Sequence, residues 1–448
     1  MMPRYVENHT LPGFPHVPLL NVAPPHAYIH SERRSVVFDA CESGPQIVRY
    51  VWRIDSLLAI DRGRECTYRH TFHSLGRHRV ELSVEDVFGG RTVAVEMLEL
   101  RDVLIVSIGD SYASGEGVPD IPGRYELDWN SCLGPGSRCV RVRTVEEAWT
   151  HRTCHRSSRA GPALAARWLE GEPHSTVTFI SLACSGAEIE KGLLIGGHRG
   201  QRAQVEELAR LLCPPLAACA SPGDLRPIDA LVITVGGNDI GFSHIISDCV
   251  FDFNRCTEGR LPIALCLKAV EPRLQSLGPD QQWILRRACN EDPGRVAQRM
   301  MSELPLKYVE LDAAIRGRLR FTTPAGIWIT EYSDPSTAVD GRTCGFGGFP
   351  LEKEIAAPDV AWLRQNVFGA LNTSIRSSAK SVAWGFVGDI ARRYHGHGYC
   401  SPDGWFVTYR ESWRVQGDLQ GTLHPNRRGH EVIGQRIAEV ISSQVFRR

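Results

Sequence analysis

Four short apolar runs limit most strongly what this chain can fold into: VLIVSI at 103–108, TVTFISL at 176–182, ALVITV at 230–235 and GIWITEY at 326–332. Each is rich in β-branched or aromatic residues and lacks the polar alternation of a half-exposed strand. Each therefore predicts a strand buried on both faces. Between and after them lie segments with helical spacing, AGPALAARWLEG at 160–171, QVEELARLL at 204–212, RVAQRMMSELPLKYVELDAAIRGRL at 295–319 and VAWLRQNVFGALNTSIRSSA at 360–379. The tail, PNRRGHEVIGQRIAEVISSQV at 425–445, opens with a proline near a helix start and sets Val432, Ile433, Ile437 and Val440 on one face. Strands alternating with helices predict an α/β fold whose parallel sheet is covered on both sides.

The N-terminal part has a different texture. Residues 1–25 carry Pro12, Pro15, Pro18, Pro24 and Pro25 without sustained periodicity and predict an extended arm. From 26 to 101, segments such as SVVFDA, IVRYVWRID, HRVELSVED and TVAVEMLEL alternate apolar and polar residues between the turn signals ESGP, SLGR and FGGR. That pattern predicts a small all-β antiparallel sandwich. The expected plan is an arm over 1–25, a sandwich over 26–101 and an α/β domain over 102–448.

Charge and cysteine content narrow the setting. Fifty-one basic and fifty-one acidic residues cancel, which leaves no global field to draw in nucleic acid or an anionic membrane. Arg427 and Arg428 read as solvated helix surface. No stretch approaches the roughly 18 consecutive apolar residues of a spanning helix, and the first residues lack the basic and apolar regions of a secretory signal. Fourteen cysteines, among them Cys132, Cys139, Cys154, Cys213, Cys219, Cys249, Cys256 and Cys266 in loop-like sequence, predict disulfides and an oxidising, secreted or periplasmic location. HRTCH at 151–155 and HGHGYC at 395–400 crowd His and Cys together, but without the spacing of a structural zinc site, so no metal is expected.

The first apolar run leads directly into GDSYASGEG at 109–117, at the strand end where open parallel sheets place their ligands. A dinucleotide loop needs a third glycine, and Val118, Pro119 and Asp120 follow instead. The G-x-S-x-G nucleophile elbow fails because Ala113 stands at its last position. Three distant stretches accompany the motif: LACSGAEI after the second strand, VGGNDIGF after the third, and GTLHPNRRGH before the last helix. Singly, Gly186, Gly237, Asn238 and His424 read as turn, cap or surface residues.

Taken in order, the four blocks resemble those of the SGNH/GDSL hydrolase superfamily. The resemblance implies a flavodoxin-like α/β/α sandwich and an esterase or lipase activity on carboxylic esters, with Ser111 as nucleophile, His424 as general base, and Gly186 and Asn238 in the oxyanion hole. The chemistry agrees. A serine hydroxyl needs a base to take its proton, and histidine is the usual one near neutrality. The oxyanion needs preplaced donors, here the N–H groups of Ser111 and Gly186 and the Asn238 amide. No metal or organic cofactor is implied.

One position departs from the pattern. Many members carry Asp three residues before the histidine, where this chain has Gly421; Asp418 lies six residues before it. GDSYxxGEG, TCHRSS, CSGA and GTLHPN are similar to a subgroup of secreted actinobacterial-type esterases and phospholipases built on a Ser-His dyad. That resemblance implies a backbone carbonyl near Gly421 as acceptor for the imidazole N–H. It also implies pairing of Cys154 with Cys184, Cys249 with Cys256 or Cys266, and Cys344 with Cys400. His430, outside the motif, reads as structural.

The N-terminal segment also resembles a PKD-type immunoglobulin-like domain, through Tyr50 and Trp52, His70 and Phe72, Gly76 through Val84, and Asp86, Gly89 and Gly90. IDSLLAIDRG replaces the usual acidic turn. Polysaccharide or cell-surface contact is the partner that this implies, beside a small or polymer-attached acyl ester as substrate and a monomeric chain. The alternative is a binding or adhesion protein with a degenerate hydrolase domain, for which Gly421 argues and the intact Ser111, Gly186, Asn238 and His424 argue against. The segment 240–295 is a candidate lid.

Overall fold

The structure, a computed structural model, describes residues 10–11, 14–18, 35–55, 57–72, 74, 76–128, 140–170, 175–213, 219–242, 293–345 and 357–446. Within the expected arm, Thr10–Leu11 (β1) and Phe14–Pro18 (β2) pair antiparallel.

Two antiparallel layers follow. Ser35–Asp39 (β3), Ile47–Ile54 (β4), Ile60–Asp61 (β5), Thr67–Thr71 (β6), Gly76–Asp86 (β7) and Arg91–Gly109 (β8) divide so that β3 pairs with β6, and β5, β4, β7 and β8 lie side by side. Alternation explains the layer: Tyr50, Trp52 and Ile54 are buried on one side of β4 while Arg49 and Arg53 face out. They meet Tyr68, Phe72, Val80 and Leu100 in one core. Trp52 stacks on Phe38 with 5.4 Å between ring centroids.

A separate antiparallel pair, Arg124–Asp128 (β9) and Val140–Val145 (β10), precedes the rest of the main sheet. Ser175–Ser181 (β11), Ala230–Thr234 (β12), Ile327–Thr330 (β13) and Gly385–Val387 (β14) complete it. Five strands run parallel in the order β11, β8, β12, β13, β14. Every residue of β12 and β13 is buried, as are residues 103–109 of β8, as continuous apolar strands require. β14 was not among the strands legible in the sequence. Its three residues GFV carry no periodicity, and pairing with β13 makes them a strand.

β8 belongs to both halves. Residues Arg91–Leu100 pair antiparallel with β7, and Arg101–Ser107 run parallel to β11. Leu100 lies in the sandwich core and Val103 in the second core, so the boundary expected after Arg101 falls inside one continuous strand.

The described helices are Ser111–Ser114 (α1), Gly161–Leu169 (α2), Gln204–Leu212 (α3), Pro293–Arg318 (α4), Ala357–Leu363 (α5), Gly369–Ser381 (α6), Ile390–Arg393 (α7), Tyr409–Gln416 (α8) and Arg427–Val445 (α9). The segment expected as one helix over 360–379 is interrupted by a π turn, Arg364–Phe368, which buries the adjacent Val367 and Phe368 together. α2 packs on α9, and α4 on α3 and α6. Gly161 permits the first contact, since a Cβ there would stand 2.5 Å from Ile433 Cγ2. Helices on both faces make the second half a three-layer α/β/α unit. Among the described residues, no helix is long and apolar enough to cross a membrane.

All described cysteines are paired: Cys41–Cys66, Cys154–Cys184, Cys213–Cys219 and Cys344–Cys400. The second and fourth are pairings implied by the sequence resemblance. Cys132, Cys139, the Cys249 pairing and most of the candidate lid lie outside the described residues.

Candidate active site

The parallel sheet delivers GDSYASGEG to its rim. β8 ends at Gly109, with φ +136°, where a Cβ would stand 2.0 Å from Thr234 O. Only glycine fits so close a backbone approach. Asp110 then caps α1: its Oδ1 accepts from Tyr112 N at 3.0 Å, and its Oδ2 accepts from the Tyr332 hydroxyl. Burial pushes the Asp110 carboxyl up to about 7 in spite of those two bonds. The cap starts the helical turn at Ser111, and Gly115, with φ +94°, ends it.

His424 arrives on the loop between α8 and α9. Its Nε2 lies 2.7 Å from Ser111 Oγ. The loop is fixed on several sides: His424 N donates to Gly421 O at 3.0 Å, Val407 N to His424 O at 2.8 Å, and the Tyr112 hydroxyl to Leu423 O at 3.1 Å. Leu423 holds φ +63°, a conformation a leucine adopts only where its surroundings impose it. On the far side of the ring, Nδ1 faces Thr422 O at 3.3 Å. Burial lowers the imidazole below its ordinary value, while Glu116 and the carbonyls of Thr422, Gly421 and Gln420 work against that fall.

Gly186 and Asn238 follow β11 and β12. The turn carrying Gly186, with φ +83°, is tied to the turn of Ser111: Cys184 N donates to Gly109 O at 3.0 Å, and the Ser185 and Ser114 hydroxyls lie 3.2 Å apart. Asn238 Nδ2 donates to Ala187 O at 3.0 Å, so one of its two amide protons is engaged there. Asp239 anchors this loop, accepting from Ile189 N and pairing with Lys307 Nζ at 3.1 Å. Ser111, Asn238 and His424 line one cavity of about 270 Å³, together with Tyr112, Phe242, Tyr332, Phe368, Leu371 and Leu423.

Asp418 does not take the place of a triad carboxylate. Its Oδ1 accepts from Gln416 Nε2 at 2.6 Å and Gln420 N at 2.9 Å. His430 is fully buried on α9, where its Nδ1 accepts from Gly161 N at 3.1 Å. In the two His/Cys-rich stretches, Cys154 and Cys400 are half-cystines, His155 bonds Glu116, and His397 stacks on Trp405.

Two features carry no signal in the sequence. One is the Asp110–Tyr332 pair, whose tyrosine also accepts from Gly237 N at 3.0 Å. The other is a buried cluster around Glu116, which lies within GDSYASGEG itself. Its carboxylate takes His155 Nδ1 at 2.8 Å, Gln416 Nε2 at 2.7 Å and the Ser185 hydroxyl. The partners come from three other segments, and no spacing rule connects them.

No protein-family model and no curated protein matches the chain. Among solved structures, an extracellular lipase from Streptomyces rimosus aligns at 19% identity and TM-score 0.44, over 76% of this chain and 99% of that one. Phospholipase A1 from Streptomyces albidoflavus NA297 aligns at 19% and 0.41, over 76% and 99%. A carbohydrate esterase family 2 enzyme plus carbohydrate binding domain from Corynascus thermopiles aligns at 13% and 0.31, over 92% and 91%. Likeness at this level assigns no activity, and the chemistry of the chain rests on its own site.

Proposed function

We propose that the chain is a serine carboxylic ester hydrolase of the SGNH/GDSL type, working through an acyl-enzyme on Ser111. The observation that carries this reading is the 2.7 Å approach of His424 Nε2 to Ser111 Oγ at the mouth of a cavity. Ser111 Oγ attacks the ester carbonyl carbon as His424 Nε2 takes its proton, and the carbonyl electron pair moves onto oxygen. That oxyanion is met by the N–H groups of Ser111 and Gly186 and by the Asn238 amide. Collapse expels the alkoxide, which leaves with the proton held on His424. Water, deprotonated by the same nitrogen, then releases the acid. The Thr422 carbonyl fixes the tautomer by accepting from Nδ1–H, the orientation task that a carboxylate performs in a triad.

The aromatic and aliphatic lining of the cavity favours an apolar acyl group over a bare acetyl. Four disulfides favour an oxidising compartment. The sandwich, with its own core, supports the reading of residues 26–101 as a PKD-like module for polysaccharide or cell-surface contact, ahead of a catalytic unit over 102–448. Hydrolysis of p-nitrophenyl esters of increasing acyl length tests the activity. Ser111→Ala is expected to reduce turnover about 10⁴-fold or more and to abolish fluorophosphonate labelling. Equal rates in wild type and variant would end the reading.

A further inference from the structure

The structure offers a reason for Gly421 and a substitute for the missing carboxylate. A Cβ at Gly421 would meet Gln416 Oε1 at 2.9 Å, Gly117 Cα at 3.0 Å and Ser412 Oγ at 3.0 Å. An aspartate there would have to displace Gln416 and press on the Gly117 backbone. The space is filled by Gln416, whose Nε2 donates to Glu116 at 2.7 Å, and by Gly117, the residue after Glu116. The packing that crowds position 421 thus brings a carboxylate from the GDSYASGEG motif against the same loop. We propose that Glu116 is a positioning residue for this site, a buried anion that stabilises the His424 imidazolium formed during attack while backbone carbonyls orient the ring. This rests on the esterase reading above.

Glu116 is 1% exposed and is bonded by Gln416, Ser185 and His155. Burial alone would raise its carboxyl, but the His155 bond and charge, then the charge of His424 and the Ser185 bond, hold it down at about 2. It is therefore ionised wherever His424 titrates. Among the described residues, the groups facing His424 come from three places. Tyr112 comes from α1, with its ring centroid 5.2 Å from the imidazole. His430 comes from α9, where burial drives it down to about 3 and keeps it neutral. From the loop itself come the carbonyls of Gln420, Gly421 and Thr422, with Asp418 turned to Gln416. Of these, Glu116 is the anion that opposes burial of the imidazolium. A charge acting across protein of low effective dielectric, without direct contact, stabilises the charged state of its neighbour.

The test is the pH profile of kcat/KM for the full-length chain. Glu116→Gln is expected to lower kcat roughly 10-fold, with little change in KM, and to move the acidic midpoint down by about one pH unit. Glu116→Asp, which keeps the charge, should restore much of both. Ser412→Ala serves as the control, because it breaks two bonds of the His424 loop, to Asp418 O and from Gly421 N, and leaves Glu116 with all its partners. Its midpoint should not fall, and this variant and Glu116→Asp still decide the matter where Glu116→Gln fails to fold. An unmoved midpoint in folded Glu116→Gln overturns the proposal, and so does an equal fall in Ser412→Ala. If wild type neither turns over esters nor labels at Ser111, the esterase reading itself fails and this inference falls with it. If wild type is active and only the midpoint is unmoved, Glu116 alone loses its role.

Discussion

At the scale of residues, the site combines a short contact with an unusual division of labour. Ser111 and His424 meet at 2.7 Å, while the acceptor facing the other ring nitrogen is the Thr422 carbonyl at 3.3 Å. The proposed mechanism needs a neutral His424, so activity is expected above the folded-state value of this imidazole and is lost as pH falls through it. Burial holds that value below the usual 6.5. The acidic midpoint of kcat/KM is therefore expected below 6.5, and a midpoint above it would mean that the imidazole is not buried as described. The motif singles out Ser111, Gly186, Asn238 and His424 for the proposed roles, because each type is tied to a chemical task that few residues perform. It did not reveal Tyr332 or Gln416, which reach their partners Asp110 and Glu116 across 222 and 300 residues of sequence.

At the scale of elements, capping and pairing decide what propensity leaves open. Asn426 starts α9 by accepting from Gly429 N at 3.1 Å, and its amide donates to Gly404 O at 2.8 Å. Asn426→Ala is expected to destabilise the fold by about 1 kcal/mol through loss of the cap. Because the cap adjoins the His424 loop, a thermal scan should report the loss together with a fall in turnover. The long buried strands were legible, since a continuous run of β-branched residues has few other uses. β14 was not, because only its neighbour β13 makes it a strand. The π turn in the segment over 360–379 likewise answers to the need to bury Val367 and Phe368 side by side.

At the scale of the whole molecule, two hydrophobic cores share one strand. Each core region carries a disulfide, Cys41–Cys66 in the sandwich and Cys154–Cys184 beside the turn of Ser111. The latter closes a sequence separation of 30, for which the chain-entropy view gives about 3–4 kcal/mol of stabilisation. Cys154→Ser should lower the denaturation midpoint accordingly. Thiol reductant should lower the thermal midpoint of the wild type, and an unchanged melting curve under full reduction would remove the disulfides from any part in stability.

By itself the sequence determined the classes of layer, the strand that leads into GDSYASGEG, and the residue types from which an acyl-transfer site is proposed. Those follow from periodicities of two and 3.6 residues and from side-chain chemistry, both of which are local. Tertiary structure alone decided that β8 runs unbroken from one core into the next. It also decided that Asp418 turns away from His424, and that Gln416 fills the space an aspartate at position 421 would need. Such outcomes depend on which distant surfaces exclude one another when the chain is packed, and no spacing along the chain records that.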